Sequence, residues 1–403
     1  MAKSLEEIEN ELADQFKRID DIAFYNQKKV LNAFKECKVS SQCFSGTTGY
    51  GYGDLGRDRL GEVFAKTFNT QKAIVSPHLT CGTHTISTVL YGLLRHGDML
   101  LSITGLPYDT IQSTIFGKGN SSLEDYGIIY KQIDLKEDSS FDVEKISKLV
   151  KKYKPKVVYL QRSKGYTNRK ALAPSDMEEV FKLIKKLSPN SFIVVDNCYG
   201  EFVDKLEPTD VGADVIMGSL IKNPGGGLAQ TGGYIAGSEK AIDLIATRYT
   251  NPSLKLEVGS YEMGYRMFYQ GFFLAPHVVA QSLKGALLIG AVMEEKGFKV
   301  SPSNDIIMQD IVKAVSFDKA EDLIKFVQTV QTSSPVDGYV VPMPWDMPGY
   351  KDQVIMAAGT FVGGASIELS CDGPIRKPYI AYIQGGLTYE HVKVLAEKLL
   401  EIY

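Results

Sequence analysis

The sequence predicts an α/β fold: a large domain on a mainly parallel sheet, then a smaller α+β C-terminal domain. Three observations predict it. From about residue 73, short apolar or β-branched runs alternate with stretches of helical period, which implies a parallel sheet covered on both faces. The run FIVVD is apolar up to its last residue, as a strand buried on both faces must be. The alternation then stops near residue 250, and a different rhythm follows. The reading divides the chain into residues 1–72, an N-terminal helix and loop segment; 73–250, the large domain; and 251–403, a linking helix and the small domain.

Leu5, Ile8, Leu12, Phe16 and Ile19 recur every three or four residues, so residues 4–37 predict one helix or two in series. Ser4 and Glu7 fit a capping box. The polar, glycine-rich SGTTGYGYGDLGRDR predicts an ordered loop. AIVSPH, DMLLSIT, GIIYKQI, VVYLQ, FIVVDN, VIMGSL and GYIAG predict strands. CGTHTISTVLYGLLRHG, VEKISKLVKKY, PSDMEEVFKLIKKLSP and SEKAIDLIATRYT predict helices between them. A helical region follows over 255–296, with LKGALLIGAVMEEKG its clearest part. The last hundred residues predict helices around IMQDIV and at AEDLIKFVQTVQ, strands around GYVVP and SIELS, and a closing helix, TYEHVKVLAEKLLEIY.

Composition narrows the function classes. The 403 residues are 44% hydrophobic and 23% charged, an ordinary globular balance. A net charge of −3 gives no electrostatic argument for nucleic acid or an anionic membrane. No apolar run reaches the roughly 20 residues of a membrane helix. The acidic start MAKSLEEIENELADQF is unlike a signal peptide. Five scattered cysteines suggest reduced thiols and a cytoplasmic location. The five histidines have no ligand spacing, so no metal site is expected.

Four features of the α/β region carry chemistry. After the strand ending near His78, Gly82 and Thr83 open an apolar helix; free N–H groups at a helix start bind phosphate, although many such starts are plain caps. Asp196 closes the strand FIVVD, at the edge where α/β proteins place ligands; a turn aspartate is the bland alternative. Lys222 follows the strand VIMGSL and precedes a chain of glycines. Left unpaired at the end of a buried strand it would be costly, whereas as a Schiff-base lysine it is useful. Tyr108, in a turn after MLLSIT, offers a ring that could stack on a planar cofactor or simply pack. Phosphate site, aromatic ring, carboxylate and amine together fit pyridoxal 5′-phosphate, whose pyridine nitrogen needs an acidic partner.

The chain resembles the fold-type I pyridoxal-phosphate enzymes of the cystathionine/methionine γ-lyase group, and within it the aluminium resistance protein/methionine γ-lyase branch. The resemblance covers nearly the whole chain. It rests on Ser219, Lys222, Gly225 and the pair Gly232–Gly233, which fall in register with that group's lysine motif. Asp196–Asn197 and Cys81–Gly82–Thr83 match its Asp-Asn and phosphate-loop positions. The resemblance implies Lys222 as the Schiff-base lysine and Cα proton acceptor, Asp196 on the pyridine nitrogen, and Tyr108 stacked on the ring and able to protonate a leaving thiol. It also implies Ser219, Gly82 and Thr83 on the phosphate; Arg162, where Gln161-Arg162-Ser163 departs from the family's Glu-Ser-Pro, is placed near the cofactor's ring hydroxyl. Tyr50 and Tyr52, in YGYGDLGRDRL, would reach a neighbouring subunit's phosphate, which implies a homodimer or homotetramer with shared active sites. The family's Tyr-Ser-Arg is here Tyr50-Gly51-Tyr52. Its carboxylate-binding arginine falls on Ala381, so Arg376 is the candidate for the substrate's α-carboxylate, with Arg162 competing.

The activity so implied is β- or γ-elimination on a sulfur amino acid, releasing a thiol, a 2-oxo acid and ammonia. Transamination or aldol cleavage share its first steps. A pyridoxal-phosphate-binding protein with little catalysis, and a phosphate-binding α/β protein without the cofactor, are the readings from other classes.

Overall fold

The structure is a computed structural model that describes residues 3–167, 169–347 and 351–403. Two helices open it, α1 (Leu5–Glu11) and α2 (Ala13–Glu36). The Ser4 hydroxyl accepts from the Glu7 N–H while the Glu7 carboxylate accepts from the Ser4 N–H, so the capping box forms. Helix α3 (Leu55–Thr67) starts where the glycine-rich loop ends, capped by Asp54.

The large sheet uses β1 (Lys72–Ser76), β2 (Met99–Ser102), β3 (Ile129–Gln132), β4 (Val157–Gln161), β5 (Phe192–Asp196), β6 (Val215–Ser219) and β7 (Gly233–Gly237). Between them run α4 (Gly82–Leu93), α5 (Asp109–Ile115), α6 (Val143–Tyr153) and α7 (Pro174–Leu187), and α8 (Glu239–Tyr249) follows. The strand order is β1-β7-β6-β5-β4-β2-β3. Only β7 runs antiparallel to its neighbours, so the carboxyl ends of the other six share one edge. Alternate residues of each strand face opposite layers. Leu100, Val157, Val194 and Met217 pack with α4 and α8. Leu101, Val158, Val195 and Ile216 join the main core with α7 and α9 (Arg266–Glu295). Burying each such side chain is worth about 1.5–3 kcal/mol.

Helix α9 is the one described helix long and apolar enough to cross a membrane, and most of it is buried in the core. It packs against α2 and against α11 (Tyr389–Ile402). The second sheet contains β8 (Lys299–Ser301), β9 (Val312–Phe317), β10 (Val354–Ala357), β11 (Ser370–Pro374) and β12 (Tyr379–Gln384), in the order β10-β11-β12-β9-β8, all antiparallel. Helix α10 (Ala320–Gln331) covers it.

Five expectations fail: the helical region predicted from 255 begins only at Arg266, LGRDR at the end of the predicted loop already belongs to α3, and three more concern the last hundred residues. The stretch around IMQDIV is not a helix; its last residue, Val312, begins β9. No strand forms at GYVVP, where Tyr339 and Val341 are exposed and lack a sheet face to bury against. SIELS is not a strand as a whole; only Ser370 enters β11, because the Glu368 carboxylate instead ties the preceding turn through the Phe361 and Val362 N–H groups.

Candidate active site

The glycine-rich stretch after Lys222 is the connection from β6 back to β7, and Ser219 pairs with Gly233 across its mouth. The Lys222 amine is therefore held at the carboxyl edge of the sheet. Gly225 and Gly226 are required by contact within the chain. A Cβ on Gly225 would collide with the Leu220 carbonyl, and one on Gly226 with the Gly271 carbonyl of α9. The glycines thus press the loop onto this chain's own α9.

The Lys222 Nζ donates to the Tyr199 hydroxyl at 2.6 Å and to the Ser366 Oγ at 3.2 Å, and it sits 3.9 Å from the Tyr199 ring centroid. Burial works against the ammonium. The bond to the Tyr199 hydroxyl and the Asp196 carboxylate work for it, and the balance holds Lys222 above the ordinary lysine value. Among the described residues it has no carboxylate ion pair within 4.0 Å.

Asp196 ends β5 level with Gln161 of β4. Burial raises its carboxyl above the usual range, against a stabilising bond from the Cys198 N–H at 3.2 Å and the field of Lys222. The Tyr159 hydroxyl is buried beside it and interacts with its carboxylate. Burial also keeps Cys198 a neutral thiol.

Helix α4 begins at Gly82. A Cβ there would lie 3.6 Å from the Ser219 Cβ, so the helix start and Ser219 face one another. Thr83 bonds Thr110 of α5 at 2.7 Å. Tyr108 caps α5, its N–H donating to the Gln161 side chain at 2.9 Å. Its ring lies 5.8 Å from that of Tyr166, which is 5.1 Å from Tyr382.

The structure thus brings together Lys222, Asp196, Ser219, Gly82, Thr83 and Tyr108. Two predicted residues stand elsewhere. Arg162 was expected beside the cofactor, yet it is fully enclosed beneath the turn that follows β5. Its guanidinium donates to the carbonyls of Leu172 (3.1 Å) and Gly200 (2.8 Å) and to Asn197 Oδ1 (2.9 Å), and pairs with buried Glu207 at 3.4 Å. A buried guanidinium is costly unless bonded, and these contacts serve Nε and Nη1, while Nη2 has no hydrogen-bond partner among the described residues. Arg376, expected at a substrate carboxylate, lies at the tip of the β11–β12 hairpin, half-exposed and paired with Asp352 at 2.9 Å. The position aligned with the family's arginine, Ala381, faces the main core. Tyr50 and Tyr52 are exposed and stacked on each other at 5.3 Å.

Two contact residues went unread in the sequence. Tyr199 lies three residues after Asp196 in DNCYGEF, a stretch whose spacing was legible but whose backbone reversal was not. Ser366 comes from a distant loop and carries no local signal. Arg169 also approaches from a loop: burial pulls it down to about 10, and it ties the Gln161 carbonyl at 2.7 Å.

A family described as methionine gamma-lyase matches residues 1–403. The chain is 47% identical over 396 residues to YnbB of Bacillus subtilis, covering 98% of this chain and 94% of that one. It is 47% identical to a carbon-sulfur lyase involved in aluminum resistance from Clostridium novyi, with a TM-score of 0.94 over 98% of this chain and 94% of that one. At 15% and 14% identity the fold recurs in the pyridoxal-5′-phosphate dependent protein YhfS of Escherichia coli, with a TM-score of 0.62 over 96% and 97% of the two chains. It recurs also in a Campylobacter jejuni protein carrying a pyridoxyl-lysine, with a TM-score of 0.58 over 88% of each. The fold is that of the fold-type I pyridoxal-phosphate enzymes. The chain belongs to the methionine gamma-lyase family.

Proposed function

We propose that the protein is a pyridoxal-phosphate-dependent carbon–sulfur lyase that eliminates a thiol from a sulfur amino acid. The observation that carries this reading is the Lys222 amine, held by two hydroxyls with no carboxylate ion pair among the described residues, in the field of the buried Asp196 carboxylate. The residues present suit the cofactor. The N–H groups that open α4, with Ser219, offer donors to a phosphate. The Asp196 carboxylate, costly to bury alone, is repaid by a protonated pyridine.

When bound, pyridoxal phosphate supplies an aldehyde for an amine and a ring that accepts the electron pair released at Cα. The protein does the rest. Lys222 would hold the cofactor's aldehyde through its amine, and once free that amine would take the Cα proton. Tyr199 and Ser366 hold Nζ in place between those two tasks, since both contact it directly. Asp196 favours positive charge opposite it. Tyr108, positioned by Gln161, donates a proton to the departing sulfur. The C–S bond breaks, one water hydrolyses the unsaturated amine left behind, and the products are a thiol, a 2-oxo acid and ammonia.

The test is incubation of the pyridoxal-phosphate-loaded protein with L-cystathionine and with L-methionine, following 2-oxo acid and thiol. A 2-oxo acid formed without thiol would replace elimination by transamination. Lys222→Ala should lose both turnover and the borohydride-fixed mass adduct while keeping its melting curve. An adduct that persists in Lys222→Ala refutes the assignment of the lysine.

A further inference from the structure

One face of the second sheet looks onto the Lys222 amine and has no part in the steps above. In β11 and β12, Asp372 pairs with Tyr382 and Ser370 with Gln384. Directly opposed residues of antiparallel strands share a face. Tyr382 forms a patch there with Val312, Ala314 and Ile380, separate from the main core, and Tyr166 and Tyr199 pack on it. Cys371, Ala381 and Ile383 point the other way, into the main core. Tyr199 bonds Lys222, so the face that carries Asp372 borders the amine.

The Asp372 carboxylate accepts from Gln384 Nε2 at 3.4 Å and from the Tyr166 side chain. Both donors are neutral. Among the described residues no lysine or arginine forms an ion pair with it, and Lys222 is the cation whose field reaches it. Burial pushes its carboxyl above the usual range. A half-buried carboxylate served only by neutral donors still loses part of its hydration, and a bound cation relieves that cost. The tyrosine rings beside it would favour the same occupant, because an aromatic face attracts positive charge.

We propose that Asp372 is a specificity-determining residue that binds the positively charged end of the substrate's departing arm. The preferred substrate is then a thioether amino acid whose sulfur substituent ends in an ammonium group. This rests on the lyase reading for the identity of the reacting end, which Lys222 marks.

The probes are S-(2-aminoethyl)-L-cysteine and S-propyl-L-cysteine, which differ by an ammonium in place of a methyl. Calorimetric binding to the pyridoxal-phosphate-loaded protein and release of 2-oxo acid are both read. The wild-type protein should bind and cleave the aminoethyl compound ~30-fold or more better, as for other desolvated charge pairs. Asp372→Asn should bring the ratio to about one and leave the propyl compound within ~3-fold. Asp372→Glu should restore part of the preference. An unchanged ratio in Asp372→Asn, or an equal loss on both compounds, overturns the proposal. If both are cleaved without preference, the lyase reading stands and the role of Asp372 falls. If neither is cleaved but Asp372→Asn abolishes a binding preference, the site stands and the lyase reading falls.

Discussion

Lys222 is held by contacts from two distant parts of the chain, and each has a chemical consequence. The Tyr199 hydroxyl is one of the groups that keep the ammonium above the ordinary lysine value. Tyr199→Phe removes that support, so the amine should deprotonate more readily. In the cofactor-free protein, acylation of Lys222 by an amine-reactive reagent at fixed pH should then be faster, read by peptide mass spectrometry; unchanged or slower labelling would show that Tyr199 only packs. Glu201 supplies a different test. Burial pushes its carboxyl up from 4.5 to about 8, and it accepts from Tyr234 at 2.8 Å. The folded state keeps that proton where the unfolded chain has lost it. Stability is therefore lost as pH rises from about 4.5 to about 8. Glu201→Gln should raise the melting temperature at pH 8, a gain on the order of a few kcal/mol, and have little effect near pH 4.

At the scale of elements, the turn after β5 shows how the site is built. Tyr199 and Phe202 have left-handed backbones, φ +71° and +62°, which cost energy in a non-glycine residue. The turn persists because its surroundings over-determine it. Arg162 bonds Asn197 and the Gly200 carbonyl. Glu207 accepts from the Asn197 side chain at 3.0 Å and from the Phe202 N–H at 2.9 Å. A Cβ on Gly200 would fall 2.5 Å from the Arg162 Cδ, so glycine is required. Arg162→Ala strips a buried carboxylate of its cation and should cost about 3–5 kcal/mol of stability. Denaturant unfolding checks this. An unchanged midpoint with impaired cofactor binding would return Arg162 to the ligand.

At the scale of the whole molecule, the loop carrying Tyr50 and Tyr52 is anchored at its base and bare at its tip. Asp54 accepts from Tyr265 at 2.8 Å and from the Arg57 N–H at 2.9 Å, and Ser260 bonds the Gly49 carbonyl at 2.7 Å. Yet Tyr50 is 68% and Tyr52 61% exposed. Two stacked rings on a rigid base suit a partner surface. The expected active unit is at least a dimer, with this loop reaching the neighbour's phosphate site. Sedimentation at assay concentration should show it, and Tyr50→Ser with Tyr52→Ser should weaken retention of the cofactor. A fully active monomer would end this expectation.

The sequence by itself determined the α/β rhythm and the order of its elements, because hydrophobic periodicity and capping act over a few residues. VVYLQ, VEKISKLVKKY and AEDLIKFVQTVQ span β4, α6 and α10 to the residue. Local chemistry also marked Lys222, Asp196 and Gly82, each at the end of a strand or the start of a helix. What it could not determine is which way a side chain turns once strands from distant parts of the chain pair. Arg162 and Arg376 both read as ligand-binding cations. Enclosure by Asn197, Gly200 and Glu207 turned one inward, and a hairpin tip carried the other to the surface. Ser366 and Asp372 enter only through the register of the second sheet and the loop before β11. A single-residue shift of β11 against β12 would turn Asp372 into the core and Cys371 toward Lys222, because side chains alternate faces along a strand.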